Sequence, residues 1–271
     1  GRHIQLIALG GRIGTGLFIG SGQNLATGGP GSLMLGFIIV AVCVILTMVS
    51  LGDLDAVLPV WGWYCPLSVR FLDPSWGFAM GWNYWLQWLA AFPLEATAVT
   101  IVISFWDKDE AVPRGVWVAI YLVLMMSIHL VGVRGYGEFE FLAALIKILG
   151  CIGFIIACVV IDVGGSPRGE YLGAHSWHHP PPFLNGFKGF CSVFITAAFA
   201  YSGTEIVGIA AAESSNPRKY IPRATKQVVG RVLLFYIISI LMITFIVPSD
   251  TKSLMGDSND PSSSPFVIAL Q

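Results

Sequence analysis

Apolar runs close to 20 residues or longer, the length a bilayer core demands of a helix, recur along this chain. They lie at roughly 4–28, 32–58, 78–105, 115–132, 139–163, 189–212 and 228–247. An eighth begins at Pro265 and is cut off at Gln271. Turn residues separate them, as in Thr27-Gly28-Gly29-Pro30, Gly164-Gly165-Ser166-Pro167 and Asp257-Ser258-Asn259-Asp260-Pro261. Lipid offers no hydrogen-bond partner to an open backbone, so runs of this kind are helices. Composition agrees: 55% of the 271 residues are hydrophobic and 11% charged, against about 25% charged in soluble domains. The expected fold class is therefore all-α, a polytopic transmembrane helix bundle forming one membrane domain over residues 1–271.

Charge sets orientation and excludes one partner class. The net charge of −1 leaves no basic excess to neutralise phosphates, so nucleic acid is not an expected partner. With the N-terminus cytoplasmic, Arg2, Arg70, Arg134, Arg218, Lys219, Arg223, Lys226 and Arg231 fall on the inner side. Lys108, Arg114, Arg168, Lys188 and Lys252 fall outside among many acidic residues. The dense cluster from Arg218 to Arg231 decides the orientation by the positive-inside rule. The stretch from Glu213 to Arg231 reads most simply as a solvated cytoplasmic loop. No cleavable signal precedes the first run, and Gly1 is not an initiator Met, so an N-terminal segment is expected to be missing.

Two runs carry residues that a plain spanning helix avoids. The first holds Gly10-Gly11-Arg12-Ile13-Gly14-Thr15-Gly16. Each interior Gly costs a helix about 1 kcal/mol relative to Ala, so local unwinding is expected here, and unwound backbone at membrane depth must line a cavity or be buried in protein. The competing reading is close helix packing through small residues. A nucleotide-binding loop is disfavoured, because it needs a preceding strand and the flanks here are lipid-type apolar residues. The sixth run holds Ala200-Tyr201-Ser202-Gly203-Thr204-Glu205. An acid near mid-membrane costs about 2.5–3.5 kcal/mol on insertion scales and is a functional candidate by default.

Two broken helices five spans apart suit an inverted-repeat transporter with its substrate at the midplane. The first repeat would cover about 1–163, and an incomplete second repeat about 189–271. A zwitterionic substrate needs opposite partners in a low dielectric. The start of a half-helix at Ile13, Gly14, Thr15 and Gly16 presents N–H groups and a positive dipole end to a carboxylate. Glu205, or freed carbonyls from Ala200 to Gly203, would receive the ammonium, with Ser202 beside them and Tyr201 placed to gate the pocket.

Other groups carry less. Of five Cys, four lie in or beside apolar runs and Cys65 lies in a loop, so small buried thiols are expected rather than disulfides or a metal site. His175, His178 and His179 cluster in a Pro-rich loop without a carboxylate or thiol to complete a metal site, and no metal is expected. No nucleophile–base pair stands out, so an enzyme is not expected. Glu95, beside Pro93, is a second intramembrane acid, equally suited to a proton relay or to an ion pair between helices.

The motifs together are similar to a known family. Arg2-His3-Ile4-Gln5 runs into Gly10-Gly11-Arg12-Ile13-Gly14-Thr15-Gly16-Leu17-Phe18. Arg70-Phe71-Leu72-Asp73-Pro74, Gly77-Phe78-Ala79-Met80-Gly81-Trp82-Asn83-Tyr84 and Gly132-Val133-Arg134-Gly135-Tyr136-Gly137-Glu138 follow in order. Ser202-Gly203-Thr204-Glu205, Glu213-Ser214-Ser215-Asn216-Pro217-Arg218-Lys219 and Ser264-Pro265-Phe266-Val267-Ile268-Ala269 complete the series. The whole chain resembles the amino acid–polyamine–organocation superfamily, and within it the fungal amino acid permeases.

That resemblance implies about twelve spans, a five-plus-five inverted repeat and proton-driven uptake of amino acids, with no cofactor beyond the proton gradient. It implies a multi-pass protein of the plasma membrane, with an amino acid and the lipid bilayer as partners, and leaves oligomeric state open. This chain stops at the start of its eighth span, and so reads as a truncated member. A span-five Lys in proton-coupled relatives resembles a proton switch, which makes Lys147 a candidate; the competing reading is a Lys snorkelling to the interface. Three departures stand out: Arg12 where the family has a small residue, Trp61-Gly62-Trp63 where it has a Ser-Gly-Ser-like stretch, and the acids of Gly52-Asp53-Leu54-Asp55. Arg12 cannot shed its charge, so it is expected to clamp the substrate carboxylate, fill the pocket or turn to Glu205. The alternatives to a transporter are an amino acid sensor of the same fold and a non-transporting fragment.

Overall fold

The computed structural model describes residues 14–58, 62, 64–107, 111–165, 171–206, 222, 225–230, 232–255 and 264–270. Among them there is no strand. In chain order the helices are α1 (Thr15–Phe18), α2 (Gly20–Val57), α3 (Tyr64–Phe71), α4 (Pro74–Ile103), α5 (Arg114–Leu130) and α6 (Gly132–Val160). They continue as α7 (His175–His178), α8 (Gly186–Tyr201), α9 (Ile238–Ile246) and α10 (Pro265–Ile268). A wide-turned π segment, Ile161–Gly165, extends α6, and another, Val232–Ile237, leads into α9.

α2 is two limbs joined across Gly29, whose φ of 81° and ψ of 169° lie outside the helical region. Only glycine adopts that backbone cheaply, and Pro30 starts the second limb, where its missing N–H costs nothing. The chain reverses here. Gly16 and Gly20 lie against Ala200 and Thr196, Gly28 lies against Gly189 and Val193, and beyond the turn Phe37 is back beside Tyr201. The expected first and second spans are thus a hairpin with a one-residue corner, tighter than the loop the sequence suggests.

Among the described residues, four stretches can cross a membrane by length and composition: Gly20–Leu54, Pro74–Ile103, Gly135–Gly165 and Thr225–Ile246. The first holds the hairpin corner. α5 and α8 are shorter apolar helices of 17 and 16 residues. α8 is short because it stops at the break beginning with Ser202. α10 opens at Pro265, where the eighth span was expected.

The core forms where the hairpin meets α8 and the π segment before α9, around Leu17, Leu25, Phe37, Val193, Tyr201 and Tyr236. Phe78, Leu86, Val123, Met126 and Leu149 point outward from α4, α5 and α6, an apolar exterior that lipid tolerates and water does not. Cys151 and Cys158 are buried as expected, but Cys43 and Cys191 lie on exposed helix faces. In an all-apolar helix a thiol suits either face, so burial could not be read from its neighbours. Asp73 caps α4 by accepting from the Ser75 N–H at 2.7 Å, and that hydrogen bond holds its carboxyl below the usual range.

Candidate functional site

The first break is visible where the described residues begin. Gly14 is extended, with φ −155° and ψ −153°, and α1 starts at Thr15. The N–H groups of Leu17 and Phe18 turn back to the Gly14 carbonyl at 3.0 and 3.1 Å. A helix start leaves its first N–H groups without intrahelical partners, so the backbone at Thr15 and Gly16 forms the positive end of a half-helix. Arg12 and Ile13 lie outside the described residues, as do Trp61 and Trp63.

The second break follows α8. Its C-cap Ser202 has φ −58° and ψ 149°, Gly203 takes φ 82°, and Ile206 N–H bonds to the Gly203 carbonyl as the helix resumes. The hydroxyls of Ser202 and Thr204 donate to the Phe199 and Tyr201 carbonyls at 2.7 and 3.1 Å. Short hydroxyl side chains here serve acceptors that unwinding leaves open.

The two breaks meet. A Cβ on Gly16 would stand 2.8 Å from Ala200 Cα and 2.9 Å from a Phe199 ring carbon. Only glycine permits that approach. It sets the start of α1 beside the end of α8, a positive helix end against a negative one. Of the two readings of these glycines, close packing is the one this approach displays. A cavity of about 310 Å³ opens alongside, lined by Thr15 and Gly16, by Thr97 and Ala98 of α4, and by Thr196 and Phe199 of α8.

The remaining candidates divide. Glu95 joins the first break: its Oε1 accepts from Thr15 Oγ1 at 3.1 Å, across 80 residues of sequence. Both line a smaller cavity of about 200 Å³, and Tyr121 of α5 stands within electrostatic reach of Glu95. Tyr201 is only 1% exposed, its ring against Tyr236 at 4.8 Å and its hydroxyl 3.3 Å from the Phe37 carbonyl. In this structure it is a core residue rather than a lining one.

Gly203 is buried and Glu205 half-buried, with Glu205 Oε1 shielded from solvent. Neither lines the 310 Å³ cavity. Glu205 stands within electrostatic reach of Tyr64 of α3, which lies between the second and third spans. Burial, then Cys65, Tyr84 and Glu205, push that phenol above its ordinary range. Lys147 sits apart on α6, half-buried and near Cys151 one turn on.

Sequence reasoning missed Thr196 and Phe199, which precede the break by six and three residues. It also missed Ser264, whose hydroxyl donates to the Phe18 carbonyl at 2.6 Å and ties the start of α10 to α1. The helical repeat before the break could have pointed to the first pair. Nothing local announces the third.

The family description "amino acid permease" matches residues 3–271. The chain belongs to the amino acid permease family. It is 47% identical over its full length to the general amino-acid permease GAP2 of Candida albicans, of which it covers 46%. It is 45% identical over its full length to the general amino-acid permease GAP1 of Saccharomyces cerevisiae, again covering 46%. Over 98% of its length it is 46% identical to the amino-acid permease inda1 of Hypocrea atroviridis, covering 47%. This amino acid permease sequence thus spans about half the length of the curated relatives it matches. Membership sets the enzyme reading aside and agrees with a multi-pass membrane protein.

Proposed function

We propose that the chain is part of a secondary transporter that moves amino acids across the plasma membrane by proton symport. The carrying observation is the approach of Gly16 to Ala200. It sets a helix start and a helix end side by side, and a zwitterion needs both. The N–H groups at Gly14, Thr15 and Gly16 receive the substrate carboxylate. Carbonyls left open by the break, such as those of Ala200 and Ser202, receive the ammonium with Glu205. Glu95 and Lys147 are the candidate proton carriers. The division into a first repeat over about 1–163 and part of a second over about 189–271 belongs to the same proposal.

Glu205→Gln tests it, in a chain carried to the length of the relatives and expressed in permease-deficient cells. Uptake of labelled amino acids should fall about tenfold to a hundredfold, the worth of one hydrogen bond to a charged group, with membrane expression retained. Unchanged uptake kinetics would reduce Glu205 to a structural acid. Amino acid binding without any uptake in the unmutated chain would instead mark a receptor of the same fold.

A further inference from the structure

Thr15 stands at the joint between three parts of the structure. It is the first residue of α1, directly after the extended Gly14. Its backbone has little freedom, because the next residue, Gly16, is seated against Ala200. A β-branched side chain has few χ1 choices. From that fixed position Thr15 Oγ1 donates to Glu95 Oε1 at 3.1 Å. Thr15 also lines the 310 Å³ cavity beside the two breaks and the 200 Å³ cavity around Glu95.

We propose that Thr15 is a positioning residue that ties the protonation of Glu95 to the cavity beside the first half-helix, an inference that rests on the proton-symport reading. A hydroxyl has one hydrogen to give and two lone pairs to accept with. While Glu95 is a carboxylate it has no hydrogen to offer, so Thr15 must donate to it. Once Glu95 takes a proton, its own O–H donates to Thr15 Oγ1, and the Thr15 hydrogen turns away from Glu95. The cavity that Thr15 also lines then gains a donor. A donor at a helix start is what a carboxylate-bearing ligand uses, so the proton arrives at Glu95 and its effect is felt where an amino acid's carboxylate would bind. No bond to carbon changes; one proton is added and one hydrogen bond reverses.

The surroundings suit this role. Among the described residues, Tyr121 of α5 is a titratable group within electrostatic reach of Glu95, a phenol that is neutral at physiological pH. The residues that α8 brings to Thr15, Thr196 and Phe199, do not titrate. The other residues lining the cavity around Glu95, such as Ala98, Val99 and Val102, are apolar.

The test titrates Glu95 itself. The carboxyl band of the purified chain in lipid is followed by infrared spectroscopy across pH, and its loss in Glu95→Gln assigns it. A hydrogen bond to the charged form favours that form, so removing it with Thr15→Val should displace the midpoint upward from that of the unmutated chain. Thr15→Ser keeps the hydroxyl and should restore the original midpoint. Thermal unfolding checks that the variants fold; Thr15→Ala replaces Thr15→Val if the latter does not. A midpoint unmoved by losing the hydroxyl overturns the proposal, as does a Thr15→Ser midpoint displaced as far as that of Thr15→Val. The symport reading fails separately: uptake indifferent to an imposed proton gradient would sink it, while the infrared midpoint would still decide the role of Thr15.

Discussion

Gly16 and Gly150 both sit in helices, yet they answer to different forces. A methyl group on Gly16 would meet the Ala200 backbone at 2.8 and 3.0 Å, and backbone cannot step aside as a flexible side chain can. A methyl group on Gly150, in α6, would meet nothing within 4 Å. Gly16→Ala should therefore destabilise by about 1–3 kcal/mol, the usual penalty of overpacking, and should part the two helix breaks. Gly150→Ala should be neutral or stabilise by up to about 1 kcal/mol, because alanine loses less backbone entropy in a helix. Thermal unfolding of the purified variants measures both. Equal midpoints for the two would mean that Gly16 is not wedged against α8.

At the scale of elements, the loop before α8 straps the hairpin corner. Leu184 N–H bonds to the Gly28 carbonyl at 2.9 Å, and Gly31 N–H to the Pro182 carbonyl at 2.8 Å. Asn185 Nδ2 donates to the Thr27 carbonyl at 2.9 Å. Further along the strap, Trp177 Nε1 donates to Thr244 Oγ1 at 3.2 Å, joining it to α9. Asn185 is also left-handed, with φ 54°, a conformation that costs most residues about 1–2 kcal/mol and asparagine less. Two effects can thus be separated. Asn185→Gly keeps the backbone and loses only the hydrogen bond, whereas Asn185→Ala loses both. The alanine variant should be the less stable of the two by about 1 kcal/mol. Amide exchange at residues 27–31 would report it, and equal protection in the two variants would show that the left-handed turn carries no strain.

The strap also shows what one sequence can and cannot disclose. The glycines and proline at 28–30 announce a turn from local chemistry, and the clusters at Gly14–Gly16 and Ser202–Glu205 announce breaks for the same reason. Contacts across space leave no such mark. Thr15 with Glu95, Gly16 with Ala200 and Tyr64 with Glu205 join residues far apart in the chain. Tyr201 borders a break, and so suggested a gate. Its place in the core depends on Phe37 and Tyr236 arriving from elsewhere.

For the molecule as a whole, the packing sorts the chain ends of the helices into two sets without reference to charge. The corner at Gly28–Gly31 and the strap at Pro182–Leu184 share one end. Gly52, at the far end of the second limb, touches the Thr225 side chain at the opposite end, and Arg70 on α3 follows from there along the chain. Arg70 and Lys226 both belong to this second end, while the strap carries His175, His178 and His179. Lys188 follows the strap, so these residues alone do not decide. The dense Arg218–Arg231 cluster around Thr225 does, and by the positive-inside rule it predicts a cytoplasmic Gly52–Thr225 end with the strap outside. In a cysteine-free background, His178→Cys in sealed right-side-out vesicles should react with a membrane-impermeant thiol reagent. Arg70→Cys should react only after the vesicles are opened. Packing fixes the two positions at opposite ends, so their labelling must move together. Reaction of Arg70→Cys from outside with His178→Cys protected would invert the orientation and leave the fold intact, whereas labelling of both in sealed vesicles would mean that the hairpin does not span the bilayer.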